Sequence, residues 1–159
     1  MEADLHQTKG EQTYMVILAV DLGQVRTGIA ICDAGEILAS PLTVLRQPNR
    51  PLLADQIAEL AKERNAQLLV LGHPLNMDGS AGSSALGAEA FARLLQERSG
   101  LPVILRDERG TTVTAHRYLN DTDTRGKKRK AVVDAVAAVI ILQDYLEYRR
   151  IHKQGGESE

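Results

Sequence analysis

Three separate stretches of this 159-residue chain each place a carboxylate next to or within an apolar run. Asp21 follows the run 15–20 and opens the link Asp21-Leu22-Gly23-Gln24-Val25-Arg26-Thr27-Gly28. Asp107 and Glu108 leave a second apolar stretch, followed by Arg109. Asp134 shares a helical stripe with Ala131, Ala137, Ala138, Ile141 and Tyr145, which are small or apolar. Burying a carboxylate in such a stripe is costly unless it is paired or bound to a cation. Hard divalent cations take carboxylate oxygens, and Mg²⁺ takes one or two from protein beside water and substrate phosphate. Two such ions about 4 Å apart activate a water and stabilise the leaving oxygen of a phosphodiester. Without cations, three close carboxylates would repel and one would hold a proton.

Each acid also has a bland reading. Asp21 could cap an ordinary turn in which the glycines supply positive φ. Gly23 could instead let a phosphate approach the backbone at a strand end, a favoured ligand position in open α/β sheets. Asp107 and Glu108 could be solvated residues at a strand exit. Alternation along a strand allows at most one of them to join Asp21, and leaves open which. Asp134 could simply complement a helix dipole. Beside the acids runs a cationic segment, Arg125, Lys127, Lys128, Arg129 and Lys130, suited to phosphate-backbone contact. Thr111 and Thr112 at a helix start could add amide donors for an anion. His73, in Gly72-His73-Pro74-Leu75-Asn76-Met77-Asp78-Gly79, is a proton-shuttle or phosphate-contact candidate, although most lone histidines are neither. His6, His116 and His152 show no metal spacing.

The composition narrows the classes. One cysteine, Cys32, excludes a disulfide scaffold and any CxxC metal or redox site, and reads as a small buried strand residue. Aromatic residues at 3% argue against base stacking on aromatic rows. Net charge is −2, yet residues 106–130 hold eight Lys/Arg against four Asp/Glu, so the rest of the chain is acidic. A local positive patch on an acidic body suits an anion. No apolar run reaches membrane-span length, and residues 1–13 lack a signal-peptide core, so a cytoplasmic compartment is expected.

These acids need a scaffold. Apolar runs at 15–20, 27–32 and 36–45, joined by short links, predict three strands in an antiparallel meander, with Asp33-Ala34-Gly35 as a turn and Pro41 at an edge or bulge. A helix opening at Pro51, a strand at 67–72, a helix capped within 80–84 and stopped by Gly100, and a strand at 102–106 follow. A short helix after Thr112, a loop over 121–128 and a last helix from about 129 to 150 complete the pattern. The expectation is an α/β fold: a mixed five-stranded sheet, three strands antiparallel then two parallel, with helices on both faces. Residues 1–13 and 152–159 read as disordered tails around a single domain at 14–151.

Four segments in register, AVDLGQVRTGIAICD (19–33), VLGHPLNMDGSAG (70–82), DERGTT (107–112) and GKKRKAVVDAVAAVIILQDYL (126–146), resemble the YqgF family, also called RuvX, across about residues 15–148. Its members are Holliday junction resolvases and pre-16S rRNA nucleases of RNase H-like fold. The resemblance implies that Asp21, Glu108 and Asp134 are the catalytic, metal-holding acids, and so selects Glu108 over Asp107. It implies that the basic stretch and the PLNMDG loop face nucleic acid. Gly110 and His73 depart from the commonest form of the pattern, where apolar residues stand.

The resulting expectation is a nuclease dependent on Mg²⁺ or Mn²⁺, with two ions bridged by Asp21 and flanked by Glu108 and Asp134. Arg26, Asn76, Arg109, Thr111, Thr112, Arg125, Lys127, Lys128, Arg129 and Lys130 would contact RNA or DNA. Processing of the pre-16S rRNA 5′ end and resolution of branched DNA are both compatible, the latter favouring a two-fold homodimer. A non-catalytic nucleic-acid or ribosome-associated factor is the rival from another class. A phosphotransferase of the actin and sugar-kinase type shares the DxG turn but needs two such domains, and this chain has room for one.

Overall fold

The computed structural model describes residues 14–107 and 126–155. Strands β1 (Val16–Asp21), β2 (Arg26–Cys32) and β3 (Ala39–Arg46) are followed by helix α1 (Arg50–Glu63), β4 (Ala66–His73), α2 (Ser83–Ser99) and β5 (Val103–Asp107). A long helix, α3 (Gly126–Gly155), ends the described chain. The sheet order is β3-β2-β1-β4-β5. The β1–β2 and β2–β3 pairs are antiparallel, and the β1–β4 and β4–β5 pairs parallel; three antiparallel strands then two parallel ones are what the sequence predicts, and the β1–β4 pairing is the structure's addition.

Both faces of the sheet are covered, which explains why β1 and β4 are apolar at every central position. Ile17 and Ala19 of β1, Ala30 and Cys32 of β2, and Leu68 and Val70 of β4 cluster with Ala138, Ile141, Leu142, Tyr145 and Leu146 of α3. The alternate residues, Leu18, Val20, Ile29, Leu69 and Leu71, cluster with Leu53 and Ile57 of α1 and Phe91 and Leu95 of α2. Each fully buried Leu or Ile contributes about 1.5–3 kcal/mol. A one-residue slip of β1 would exchange the two sets and carry its terminal acid to the wrong face, so the core fixes the register of the site.

Pro41 stands on the edge strand β3, opposite Ala30, where the register shifts between Ile29 and Ala30. Its missing N–H is tolerated there because an edge strand has one unpaired side. Strand β3 starts at Ala39 rather than residue 36, because the turn after β2 is longer than predicted. Asp33 Oδ1 accepts the N–H groups of Ile37 and Leu38, both at 2.8 Å. Glu36 sits there at φ 57°. Its carboxylate, buried, receives Arg149 Nε at 2.7 Å and Nη2 at 2.9 Å, and the Met15 N–H at 2.9 Å. Gln143 also grips the hairpin, accepting from the Ala39 N–H at 3.1 Å and donating to the Ile37 carbonyl at 3.2 Å.

Helix α3 is longer than predicted at both ends. It includes Lys127, Lys128, Arg129 and Lys130, which the sequence assigns in part to a loop for want of an apolar anchor. Lys and Arg are good helix formers, so the backbone can wind without one. At the other end it enters the stretch read as a polar tail, where His152 Nδ1 lies 2.8 Å from the Tyr148 carbonyl and the two rings are 4.0 Å apart. The short helix expected after Thr112 lies outside the described residues.

Candidate active site

The three mutually parallel strands end on one edge, at Asp21, His73 and Asp107. Alternation then decides which side chains share a face. Asp21 continues the series Ile17, Ala19 and therefore belongs to the α3 face, at the end of the central strand. Its cross-strand partner on β2 is Gly28, and Gly72 follows Leu71, the partner of Val20, on β4. Gly28 and Gly72 are both buried. Asp21 thus stands between two strand positions that carry no side chain. Glycine within a strand weakens it and marks a close approach by a ligand or another backbone. Arg26 falls in the same series as Ala30 and Cys32, so it shares the face with Asp21.

Asp107 does not. Val103 and Leu105 pack into the α1–α2 cluster, which puts Asp107 on that side. Its register partner His73 agrees, since His73 Nε2 meets Glu89 Oε2 of α2 at 2.8 Å. The intervening Arg106 points the other way, with Nε 3.0 Å from Asp144 Oδ2 of α3 and the guanidinium 4.7 Å from the Tyr148 ring centroid. Asp107 is therefore removed from the candidate triad on geometric grounds. Glu108, Arg109, Thr111, Thr112 and Arg125 lie outside the described residues. Position 134 lies on α3 in phase with Ala137, Ala138, Ile141 and Tyr145, all buried against the sheet. The side chains of Asp134 and of Lys127 to Lys130 are outside the described part.

The β1–β2 link explains Gly23 differently from either sequence reading. Gly23 has no positive φ. A Cβ built there would sit 2.0 Å from the Arg26 carbonyl oxygen and 3.1 Å from its carbon. The glycine is required by the closure of the link itself. The Gly23 N–H donates to Thr27 Oγ1 at 3.3 Å, and its carbonyl accepts from Arg50 Nη1 at 2.9 Å. Arg50, immediately before the helix-opening proline, carries no motif and was missed in the sequence.

The PLNMDG loop is held by its own side chains. Asn76 Nδ2 donates to Ser80 Oγ at 2.9 Å, the Asn76 N–H donates to the Ser80 carbonyl at 2.8 Å, and Ser80 Oγ donates to Asp78 Oδ1 at 2.6 Å. Ser80 therefore closes the loop rather than capping α2, whose cap residue is Gly82 with no side-chain bond. His73 and Asn76 are both engaged within the protein, His73 on the face opposite Asp21.

Among the described residues no three His, Cys, Asp or Glu converge. The chemistry of the donors nevertheless fits a hard divalent cation: Asp21 offers carboxylate oxygens at a strand end flanked by two glycine positions. Among the described residues no helix is long and apolar enough to cross a membrane.

Comparisons with known proteins bear on the family and the fold. The sequence model of a family described as RuvX: Holliday junction resolvase matches residues 15–148. A protein of Shouchella clausii (strain KSM-K16) named "Putative pre-16S rRNA nuclease" is 42% identical over 137 residues, spanning 84% of this chain and 95% of its own. A protein of the same name from Desulfitobacterium hafniense (strain DSM 10664 / DCB-2) is 39% identical over 145 residues, spanning 91% and 100%. The Thermus thermophilus RuvC structure matches with a TM-score of 0.53 at 13% identity, covering 86% of this chain and 96% of that one. The fowlpox virus Holliday junction resolvase matches with a TM-score of 0.52 at 15% identity, covering 84% and 99%. At those identities the two structures establish a shared RNase H-like fold.

Proposed function

The chain belongs to the RuvX family, and from that premise we propose that it is a divalent-metal-dependent nuclease whose substrate is the 5′ region of pre-16S rRNA. The observation that carries the site is the placement of Asp21 on the α3 face between Gly28 and Gly72. Asp107 being turned away supports Glu108 as the acid of that segment, and the helical phase of position 134 with Ala138 and Ile141 supports Asp134. Asp21, Glu108 and Asp134 would hold the metal. Bound there, Mg²⁺ or Mn²⁺ supplies positive charge against the phosphodiester oxygens and makes a water acidic enough to attack.

The protein's own groups do the rest. The three carboxylates would serve only to hold and orient the cation, since by themselves they oppose the negative charge that grows on the phosphate oxygens. Arg26, on that face, binds a nonbridging phosphate oxygen. The cations at the start of α3 hold the strand by its phosphates, without reading its sequence. Glu36, Gln143 and Arg149 tie α3 to the β2–β3 hairpin, and so would help position the helix that carries residue 134.

The test is a panel of labelled RNA and DNA, including a pre-16S 5′ leader and a four-way junction, incubated with Mg²⁺ or Mn²⁺. Cleavage of the leader is expected, and Asp21→Asn should reduce it by about a hundredfold or more, since a lost metal contact removes several kcal/mol of charge stabilisation. Full activity of Asp21→Asn with metal binding intact would defeat this assignment. Undiminished nucleic-acid binding by an Asp134→Asn protein, with no cleavage by wild type in Mn²⁺, would favour a non-catalytic factor. The family description favours one second reading, junction resolution. That activity requires two symmetric cuts, so a protein that stays monomeric on a four-way junction would rule it out.

A further inference from the structure

On the other side of the same edge lies a cleft of about 230 Å³, formed by the β1–β2 link, the end of β4 and the first turns of α1 and α2. We propose that it holds a second phosphodiester of the bound strand, with Arg50 as the anion-binding residue. The proposal rests on the nuclease reading of the edge.

The charge state of the cleft is the first argument. Arg50 lines it and no carboxylate does. Arg98, Arg106 and Arg149 each meet an acid: Asp55, Asp144 and Glu36 respectively. Arg50 instead spends one N–H on the Gly23 carbonyl and rests its guanidinium 5.9 Å from the Phe91 ring centroid, with no carboxylate partner among the described residues. A guanidinium has five donors, so about four remain, in the planar arrangement that matches a phosphate. Half-buried and unneutralised, it would gain more from an anion than a solvated lysine would.

The second argument is room. Gly87 lines the cleft from within α2, where a helix-interior glycine costs about 1 kcal/mol relative to Ala. A Cβ there would meet nothing within 4 Å, so packing does not require the glycine. Its absence of a side chain keeps that wall low. Gln24, Ser83 and Ser84 add neutral hydrogen-bonding groups around the rim.

The third is position. Gly23 and Gly72 both line the cleft; Gly23 lies two residues beyond Asp21, and Gly72 follows Leu71, the partner of Val20, on the neighbouring strand. Two residues span at most about 7 Å. A strand with one phosphate at Asp21 that crosses the end of β1 therefore brings a neighbouring phosphate over Arg50.

The experiment uses the full chain carrying Asp21→Asn, so that binding is read without cleavage. Anisotropy of a fluorescein-labelled single-stranded RNA is followed over a salt series. Arg50→Gln should weaken binding about tenfold at low salt and reduce the slope of log K against log salt by about 0.7, the value of one phosphate contact. Arg50→Lys should keep most of the slope. Ser84→Glu leaves the Arg50–Gly23 bond alone and puts an acid in the first turn of α2, where the helix dipole favours it, so folding is preserved. It should weaken binding as Arg50→Gln does. A DNA strand of the same sequence should give the same changes. Unchanged slopes in both Arg50→Gln and Ser84→Glu would overturn the proposal. So would competition by inorganic phosphate that responds to the variants while RNA binding does not. The two readings fail separately. Wild type that cuts in Mn²⁺ while the variants keep their slopes loses the cleft alone. Wild type that never cuts while the slopes change loses the nuclease reading alone.

Discussion

Replacing Gly23 by alanine probes how tightly the β1–β2 link is coupled to the acid that precedes it. The new Cβ would stand 2.0 Å from the Arg26 carbonyl oxygen, whereas real Cβ contacts stay beyond 3.0 Å. The obstacle is backbone, so the link must open by about 1 Å, the difference between those distances. The Arg50 bond to the Gly23 carbonyl and the Thr27 bond to its N–H are strained by the same movement. Overpacking of this kind costs about 1–3 kcal/mol, which for a domain of this size lowers Tm by about 2–12 °C. The larger effect is on chemistry. A reacting group misplaced by about 1 Å can lose about a hundredfold in rate, which is about 2.7 kcal/mol of barrier. Single-turnover cleavage of labelled leader RNA in Mn²⁺, with Tm measured in parallel, is the assay. Gly35→Ala is the control, because the nearest atom its Cβ would meet is Asp33 Oδ2 at 3.4 Å, an ordinary contact. Gly35→Ala should cut like wild type. If Gly23→Ala also cuts within twofold of wild type, the link does not set the position of Asp21 and the reasoning fails.

Glu36→Gln leaves the Arg149 guanidinium against a neutral amide in a site where the carboxylate is 4% exposed. Removing one partner of a buried pair costs about 3–5 kcal/mol. The lower end is expected here because Arg149 retains some solvent contact, and chemical denaturation should show it as a lower midpoint at unchanged m. Asp33 supplies the pH dependence. Hydrogen bonds from the Leu38 and Ile37 N–H groups hold its carboxyl below the ordinary carboxylate range. A depressed folded-state value stabilises above the unfolded value, and that contribution is lost as pH falls through the folded one. Asp33→Asn should therefore flatten the fall of Tm below about pH 4, and an unchanged acid limb would contradict the assignment.

The succession of strands and helices and their antiparallel-then-parallel character were legible because apolar runs, turn residues and helical spacing all agreed. The face occupied by Asp21 was not. β1 is apolar at both parities since helices cover both sides of the sheet, so alternation leaves no mark in the sequence. Only long-range packing against α3 reveals it. Gly28 could be placed beside Asp21 from the hairpin alone, but Gly72 arrives by parallel pairing over some fifty residues, counting from residue 21 to residue 72. Glu36 reads as the start of a strand because nothing local announces a partner at position 149. Family resemblance chose Glu108 over Asp107, and the structure adds a physical reason, in that Asp107 falls on the α1–α2 side with His73. Arg50 escaped notice because an arginine before a proline is unremarkable until the Gly23 carbonyl is seen next to it.

Helix α3 is tied to the β2–β3 hairpin through Gln143 and Arg149, while position 134 lies about 13 Å from the first and about 22 Å from the second along the axis at 1.5 Å per residue. It is a lever whose arm Ala138 and Ile141 steady against the sheet. A pivot of about 3° at Arg149 would swing position 134 by about 1 Å, enough to detune a site built there. Turn residues that never touch substrate, Asp33 and Glu36 among them, thereby acquire leverage over turnover, and drift in that surface turn between relatives would retune cutting speed without altering a single ligand.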